Sequence, residues 1–218
     1  MSEAQTNATP IVLDPMRVAF APDATVLQLG RTHFIGIGGA GMSVLAEMLH
    51  ERGVDVDGSD REEGSKTERL RSLGITVEIG QQADNVRGAD TVVYSSVHRS
   101  DILALLMNGR RAVTVAGAHG KTTTSSLLSH ILVHAGTGKL ADPSYAIGGT
   151  IQAPGGAVLD GGHAGRGDVL VAEADESDGS FCKYRPSIAV ITNALADHLD
   201  HYGDEAHYCA AFVDHAGH

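Results

Sequence analysis

The stretch Ala116-Gly117-Ala118-His119-Gly120-Lys121-Thr122-Thr123-Thr124 constrains this 218-residue chain most, because it joins an apolar run to a helical pattern through two glycines and a lysine. Before it, Arg111-Ala112-Val113-Thr114-Val115 has the β-branched content of a buried strand. After it, Leu127, Leu128, Ile131 and Leu132 recur at helical spacing. A strand, a glycine turn and a helix start in that order read as a phosphate-binding loop. The helix's first N–H groups and its dipole favour phosphate oxygens, the Lys121 ammonium suits the outer phosphates, and the Thr122 hydroxyl suits a magnesium ion. ATP is the first expectation. The usual spacing would put a glycine at position 115, where Val115 stands, so the match is to a shortened G-x-x-G-K-T form. The competing reading is an ordinary glycine turn beside a surface lysine.

A second strand, glycine turn and helix start lies upstream in Thr32-His33-Phe34-Ile35-Gly36-Ile37-Gly38-Gly39-Ala40-Gly41-Met42-Ser43. Gly36, Gly38 and Gly41 form G-x-G-x-x-G, in which the glycines permit a tight turn, close approach of a pyrophosphate, and close packing of helix on strand. The next apolar run, Val54-Asp55-Val56-Asp57-Gly58-Ser59-Asp60, ends in an acid at a spacing suited to a ribose hydroxyl. Together they predict a dinucleotide or nucleotide-sugar site. The alternative is a set of turn glycines with Asp60 solvated in a loop.

Two nucleotide loops in 218 residues favour two domains. A net charge of −11, no Trp and 4% aromatic residues argue against a basic groove or a base-stacking platform, so no nucleic acid partner is expected. Phosphate binding must then rest on local N–H groups, Lys121 and a metal ion. Cys182 and Cys209 are too few for a disulfide framework or a four-cysteine zinc site. The first 20 residues lack a long apolar core and no run reaches membrane-spanning length, so the expected setting is cytoplasmic, without membrane insertion.

Residues 1–30 read as a lead-in segment with room for a short helix. From residue 32 the pattern alternates: a strand to 37, a helix over 40–52, a strand over 54–57, a helix over 66–72, and strands over 75–79 and 91–94. This is a βαβ series with a parallel sheet. Ile102, Leu103, Leu105, Leu106 and Met107 suggest an amphipathic helix, and Asn108-Gly109 stops it, which places a domain boundary there. Residues 136–167 are rich in Gly, Pro and Asp and read as loops around weak strands, one of them over 145–147.

Two clear strands follow. Val169-Leu170-Val171-Ala172 runs into Glu173-Ala174-Asp175-Glu176-Ser177-Asp178, and Ser187-Ile188-Ala189-Val190-Ile191 runs into Thr192-Asn193-Ala194-Leu195-Ala196-Asp197-His198. Polar residues just past the carboxyl ends of parallel strands face the ligand crevice, which puts Glu173 and His198 where a nucleotide-bound magnesium sits. The bland alternatives are a solvated acidic turn and an exposed histidine. His201, His207, His215 and His218 fit no zinc spacing and read as surface residues.

The combination of 36–43, Gly58-Ser59-Asp60, Tyr94-Ser95-Ser96, 117–124, 172–178 and 192–200 resembles the Mur ligases of peptidoglycan synthesis, most closely the alanine-adding type. The shortened phosphate loop is typical of that family. The resemblance implies an α/β fold: a Rossmann-like parallel-sheet domain binding UDP-sugar over residues 1–109, then part of a P-loop α/β ATP-binding domain over 110–218. It implies an ATP-dependent ligase joining the lactyl carboxylate of UDP-N-acetylmuramate to the amine of L-alanine through an acyl phosphate. Carried over residue by residue, Gly36, Gly38, Gly39, Ala40, Gly41 and Met42 hold the UDP pyrophosphate, while Asp60, Ser95 and Ser96 contact the uridine nucleotide or sugar. Gly117, Ala118, His119, Gly120, Lys121, Thr122 and Thr123 cradle ATP, with Lys121 at the transferring group. Thr122, Glu173 and His198 are the implied Mg2+ ligands, and Lys121, Glu173 and His198 the implied catalytic set.

Two departures carry expectations of their own. The chain is short for the family, so the rest of the ATP domain and an amino-acid-binding C-terminal domain are expected to be absent, with turnover by the short chain in question. Val97-His98-Arg99-Ser100 also leads almost directly into the helix before the phosphate loop, so the first sheet is expected to be incomplete. The alternatives are a non-catalytic module binding nucleotide or UDP-sugar, and an NAD-dependent oxidoreductase built on the first glycine loop.

Overall fold

Strands of β-branched residues bounded by glycine turns pair side by side when helices cover both their faces, and in the computed structural model, which describes residues 19–94, 96–152 and 158–218, they do so twice. The first sheet is built from β1 (Thr32–Ile35), β2 (Val56–Asp60), β3 (Thr76–Ile79) and β4 (Thr91–Val93), with α1 (Ala40–His50), α2 (Ser65–Ser72) and α3 (Ser96–Met107) as its helices. Its order is β3-β2-β1-β4, all parallel. The second begins with β5 (Arg111–Ala116) and α4 (Lys121–Ala135), and continues through β6 (Ser144–Ala146), a small hairpin of β7 (Ile151–Gln152) and β8 (Val158–Leu159), then β9 (Gly162–His163), β10 (Val169–Glu173) and β11 (Ile188–Ile191). Its order is β11-β5-β10-β6-β9, parallel except for β9. Two last helices, α5 (Leu199–Tyr202) and α6 (Glu205–Ala216), close the described chain.

One apolar core runs through both sheets, from Phe34, Leu45 and Leu49 to Leu170, Phe181 and Tyr208. A buried ion pair, Lys183 Nζ to Asp101 Oδ1 at 2.7 Å, ties the turn after β10 to α3. Within the first sheet His33 bonds Asp57 through Nδ1 and lies 3.1 Å from Ser59 Oγ through Nε2. The order of groups is that of a hydrolytic triad, but Ser59 is 2% exposed. It therefore locks β1 to β2 and offers no nucleophile.

The predicted alternation is present, with shifted edges. β2 ends at Asp60 and not at 57, because Ser59 O accepts from the Gly36 and Ile37 amides and carries the strand past the glycine. α3 begins at Ser96 and leads to β5 without a further strand. Of the lead-in segment, residues 1–18 lie outside the described residues, and Val26–Leu29 form a single 3-10 turn. Helix α6 was not anticipated; Asp204 caps it by accepting from the His207 amide at 2.9 Å.

One reading is overturned. His215 is not a surface residue but fully buried, with Nδ1 donating to Phe181 O at 3.1 Å and Nε2 lying 3.0 Å from Thr114 Oγ1. Burial pushes its pKa below the ordinary histidine value.

Candidate functional site

The phosphate loop sits where the register demands. β5 lies between β10 and β11, with Glu173 paired to Val115 and Ile191 to Ala116, so the polar residues that follow both neighbours flank the turn leaving β5. That is the crevice at the carboxyl ends of parallel strands. Gly117 has φ +133°, and a Cβ there would lie 2.2 Å from Thr192 Oγ1. Glycine is required on both grounds. Thr192 Oγ1 donates to His119 O at 2.6 Å, and Asn193 holds the same residue twice, through its side-chain N–H to His119 O at 2.8 Å and its Oδ1 from His119 N at 3.3 Å. Thr192 and Asn193 are part of the strand-end segment noted in the sequence but are given no role there; their place immediately after β11 is the signal that marks them.

Lys121 and Thr122, the first two residues of α4, each meet a carboxylate. Thr122 Oγ1 lies 3.0 and 3.1 Å from the two Glu173 oxygens, and Glu173 Oε2 also accepts from Gly148 N at 2.8 Å. Lys121 Nζ donates to Gly117 O at 2.8 Å and to Glu176 Oε1 at 3.0 Å. Glu176 is thus, with Glu173, a second acid of the run 173–178 that meets the start of α4, a role the sequence did not assign. Gly148 was likewise unforeseen. His198, in a left-handed conformation at φ +49°, pairs with its neighbour Asp197 and is not brought into contact with Thr122 or Glu173. Among the described residues no three His, Cys, Asp or Glu side chains gather to hold a metal ion. A hydroxyl beside a carboxylate nevertheless suits magnesium, which takes one or two protein oxygens and completes its shell with water and phosphate. The Thr122 and Glu173 pair fits that ion.

The first glycine loop is built differently. The amides of Gly36 and Ile37 donate to Ser59 O, that of Gly38 to Asp60 Oδ2 at 2.8 Å, and that of Gly39 to Gly36 O. Asp60 Oδ1 accepts from Arg61 N at 2.7 Å. The loop's first half is therefore satisfied internally. No acceptor for the amides of Ala40, Gly41 and Met42, the first turn of α1, is found among the described residues. Asp60 and Tyr94 also line a cavity of about 690 Å³ that includes Gly36, Gly38 and Thr67. Ser95 and the side chain of Ser96 lie outside the described residues.

A cavity of about 370 Å³ runs from the start of α1 to Glu173, the carboxylate that Thr122 meets. Ala40, Gly41 and Val44 of α1 form one wall, and Gly148, Glu173 and Asp175 form another. Tyr184, also on the lining, is buried; its phenol is pushed up well above the usual tyrosine range, so it stays a neutral donor. Arg99 puts a guanidinium against Gly41 at the same cavity.

Residues 31–119 match the family model "Mur ligase family, catalytic domain", and residues 115–214 match "Mur ligase middle domain". A UDP-N-acetylmuramate--L-alanine ligase of Bifidobacterium adolescentis is 69% identical over the whole of this chain and 46% of its own length, and one from Bifidobacterium longum subsp. infantis is 70% identical over 95% and 44%. The chain thus spans under half the length of these curated relatives. The first match runs over 237 positions against the 218 residues here, so that relative also carries residues with no counterpart in this chain. Among solved structures, UDP-N-acetylmuramate-alanine ligase from Thermotoga maritima superposes with TM-score 0.63 at 31% identity, over 85% of this chain and 46% of the other. No described helix is long and apolar enough to cross a membrane.

Proposed function

Because the chain belongs to the Mur ligase family, we propose that it carries the nucleotide-binding parts of a cytoplasmic, ATP-dependent UDP-N-acetylmuramate:L-alanine ligase. Residues 1–109 bind the UDP-sugar and residues 110–218 bind ATP. The observation that carries this reading is the cavity of about 370 Å³, which opens the free amides at the start of α1 onto Glu173. A sugar nucleotide held by its pyrophosphate at Ala40, Gly41 and Met42 extends its carboxylate toward the loop that holds ATP.

A carboxylate is a poor acyl donor, and moving the γ-phosphoryl group of ATP onto it creates an acyl phosphate with ADP as leaving group. The amine of L-alanine then attacks the acyl carbon, loses a proton and expels phosphate, leaving an amide. Such a transfer needs alignment and charge neutralisation more than covalent help. Lys121 and the first-turn amides of α4 supply positive potential at the phosphates. Thr122, Glu173 and, from the family pattern, His198 are the residues that would hold Mg2+, which supplies charge neutralisation at the transferring group. The residues between β10 and β11, with Thr192 and Asn193 on His119, keep the loop in place.

The second reading is a module that binds nucleotide or UDP-sugar without turnover. Phosphate release from ATP that depends on both UDP-N-acetylmuramate and L-alanine tests the two. Release by this chain supports the ligase; calorimetric binding of both nucleotides without release supports the module. Binding of neither contradicts both.

A further inference from the structure

The ammonium of Lys121 is already balanced. It donates to Glu176 Oε1 at 3.0 Å and has Oε2 at 2.9 Å, and Glu176 has no exposed surface while the Lys121 side chain keeps 15%. Glu176 is fixed from behind, since its carbonyl accepts from Gly179 N at 3.1 Å and from the Tyr202 hydroxyl, and the Tyr202 ring stands edge-on to Tyr208 at 5.1 Å. Next along α4, Thr122 lies against the second carboxylate, Glu173. An anion entering the first turn of α4 therefore meets one cation neutralised by a buried acid and one further acid. The chain as a whole, at −11, adds no compensation.

Resting on the ATP-binding reading above, we propose that Glu176 is a specificity-determining residue: its negative charge, which offsets Lys121 and adds to that of Glu173, makes the phosphate loop discriminate against metal-free nucleotide in favour of nucleotide carrying a divalent cation. The cation lowers the negative charge of the phosphate chain and gives Glu173 a partner. Lys121 has a third N–H to offer while it keeps Gly117 O and Glu176, so metal-bound nucleotide is accommodated without breaking the buried pair. Metal-free nucleotide brings its full charge against two carboxylates.

The test is calorimetric titration of the 218-residue chain with ATP, once with magnesium and once in EDTA, for the wild type, Glu176→Gln, Lys121→Gln and the double variant. The wild type binds at least about tenfold more weakly in EDTA. Glu176→Gln, checked for folding by thermal unfolding, gains about tenfold in EDTA and changes little with magnesium. A folded Glu176→Gln that weakens binding in both conditions, or leaves the EDTA affinity at the wild-type level, overturns the proposal and reduces Glu176 to a buttress. If Glu176→Gln does not fold, Lys121→Gln and the double variant decide. Removing the carboxylate beside an uncharged position 121 raises the EDTA affinity if Glu176 discriminates, and leaves it unchanged if it does not. Equal wild-type affinity with magnesium and in EDTA overturns this inference alone. No ATP binding under either condition overturns the ATP-binding reading and takes this inference with it.

Discussion

The two glycine loops share a plan and differ in what holds them. Around Gly36 to Gly39 the backbone is anchored by other backbone, Ser59 O and Gly36 O, with Asp60 as the one side-chain acceptor. Around Gly117 to Lys121 side chains dominate: Thr192 and Asn193 on His119, Glu176 on Lys121, Glu173 on Thr122. A loop fixed by peptide groups presents the same amides before and after its ligand arrives. A loop fixed by charges must share those charges with its ligand, so its affinity depends on what the ligand carries. The first arrangement suits a substrate that is held, the second a phosphate chain that is cut.

The largest effect expected on this contrast comes from Lys121→Ala. ATP affinity falls at least about a hundredfold, the loss typical of a charge-assisted contact, while UDP-N-acetylmuramate binding stays at the wild-type level by calorimetry. The same change strands the buried Glu176 carboxylate, so thermal unfolding shifts down by about 6 °C, for a loss of about 2 kcal/mol. An unshifted midpoint would show that the pair does not hold the loop.

Glycine replacements sharpen the comparison. Gly117→Ala combines a φ of +133° with a Cβ 2.2 Å from Thr192 Oγ1 and costs about 3 kcal/mol. Gly36→Ala, at φ +75° with nothing within 4 Å of its Cβ, costs about 1 kcal/mol. Urea midpoints of the two variants give the ratio directly, and equal losses would remove the distinction. In the first loop, Asp60→Ala releases the Gly38 amide and weakens UDP-N-acetylmuramate by about tenfold, leaving ATP affinity unchanged.

The smallest effect is a pH dependence. His215 donates from Nδ1 to Phe181 O, so Nε2 is the acceptor for the Thr114 hydroxyl and the ring is neutral. Burial lowers its folded-state pKa below the value of 6.5 for the free side chain. The unfolded chain therefore binds more protons as pH falls below 6.5, and stability falls with pH there and is level above it. Urea midpoints of the wild type and His215→Gln at pH 5 and pH 7.5 check this: the wild type loses more between the two than the variant does.

Both loops were legible because a strand, a glycine turn and a helix start are local patterns, and Glu173 because it directly follows a strand of Val, Leu and Ala. The rest depends on pairings between distant segments. The three acids after Glu173, namely Asp175, Glu176 and Asp178, look alike in sequence, and only the path of the turn toward Tyr202 selects Glu176. Ser59 extends β2 because the turn after β1 offers its carbonyl two amides, those of Gly36 and Ile37. His215 reads as a surface residue until α6 packs its face beneath β5 and Phe181. The implied partner His198, the left-handed residue that precedes α5, pairs with Asp197 and makes no hydrogen bond to Thr122 or Glu173.

The most direct test is calorimetric titration of magnesium and ATP into the 218-residue chain saturated with UDP-N-acetylmuramate. Two separate glycine loops, one at α1 and one at α4, predict one ATP bound with the sugar nucleotide still in place, lost on Lys121→Ala without release of the sugar nucleotide. Competition between the two ligands, or loss of both in that variant, would contradict the assignment of one nucleotide to each loop.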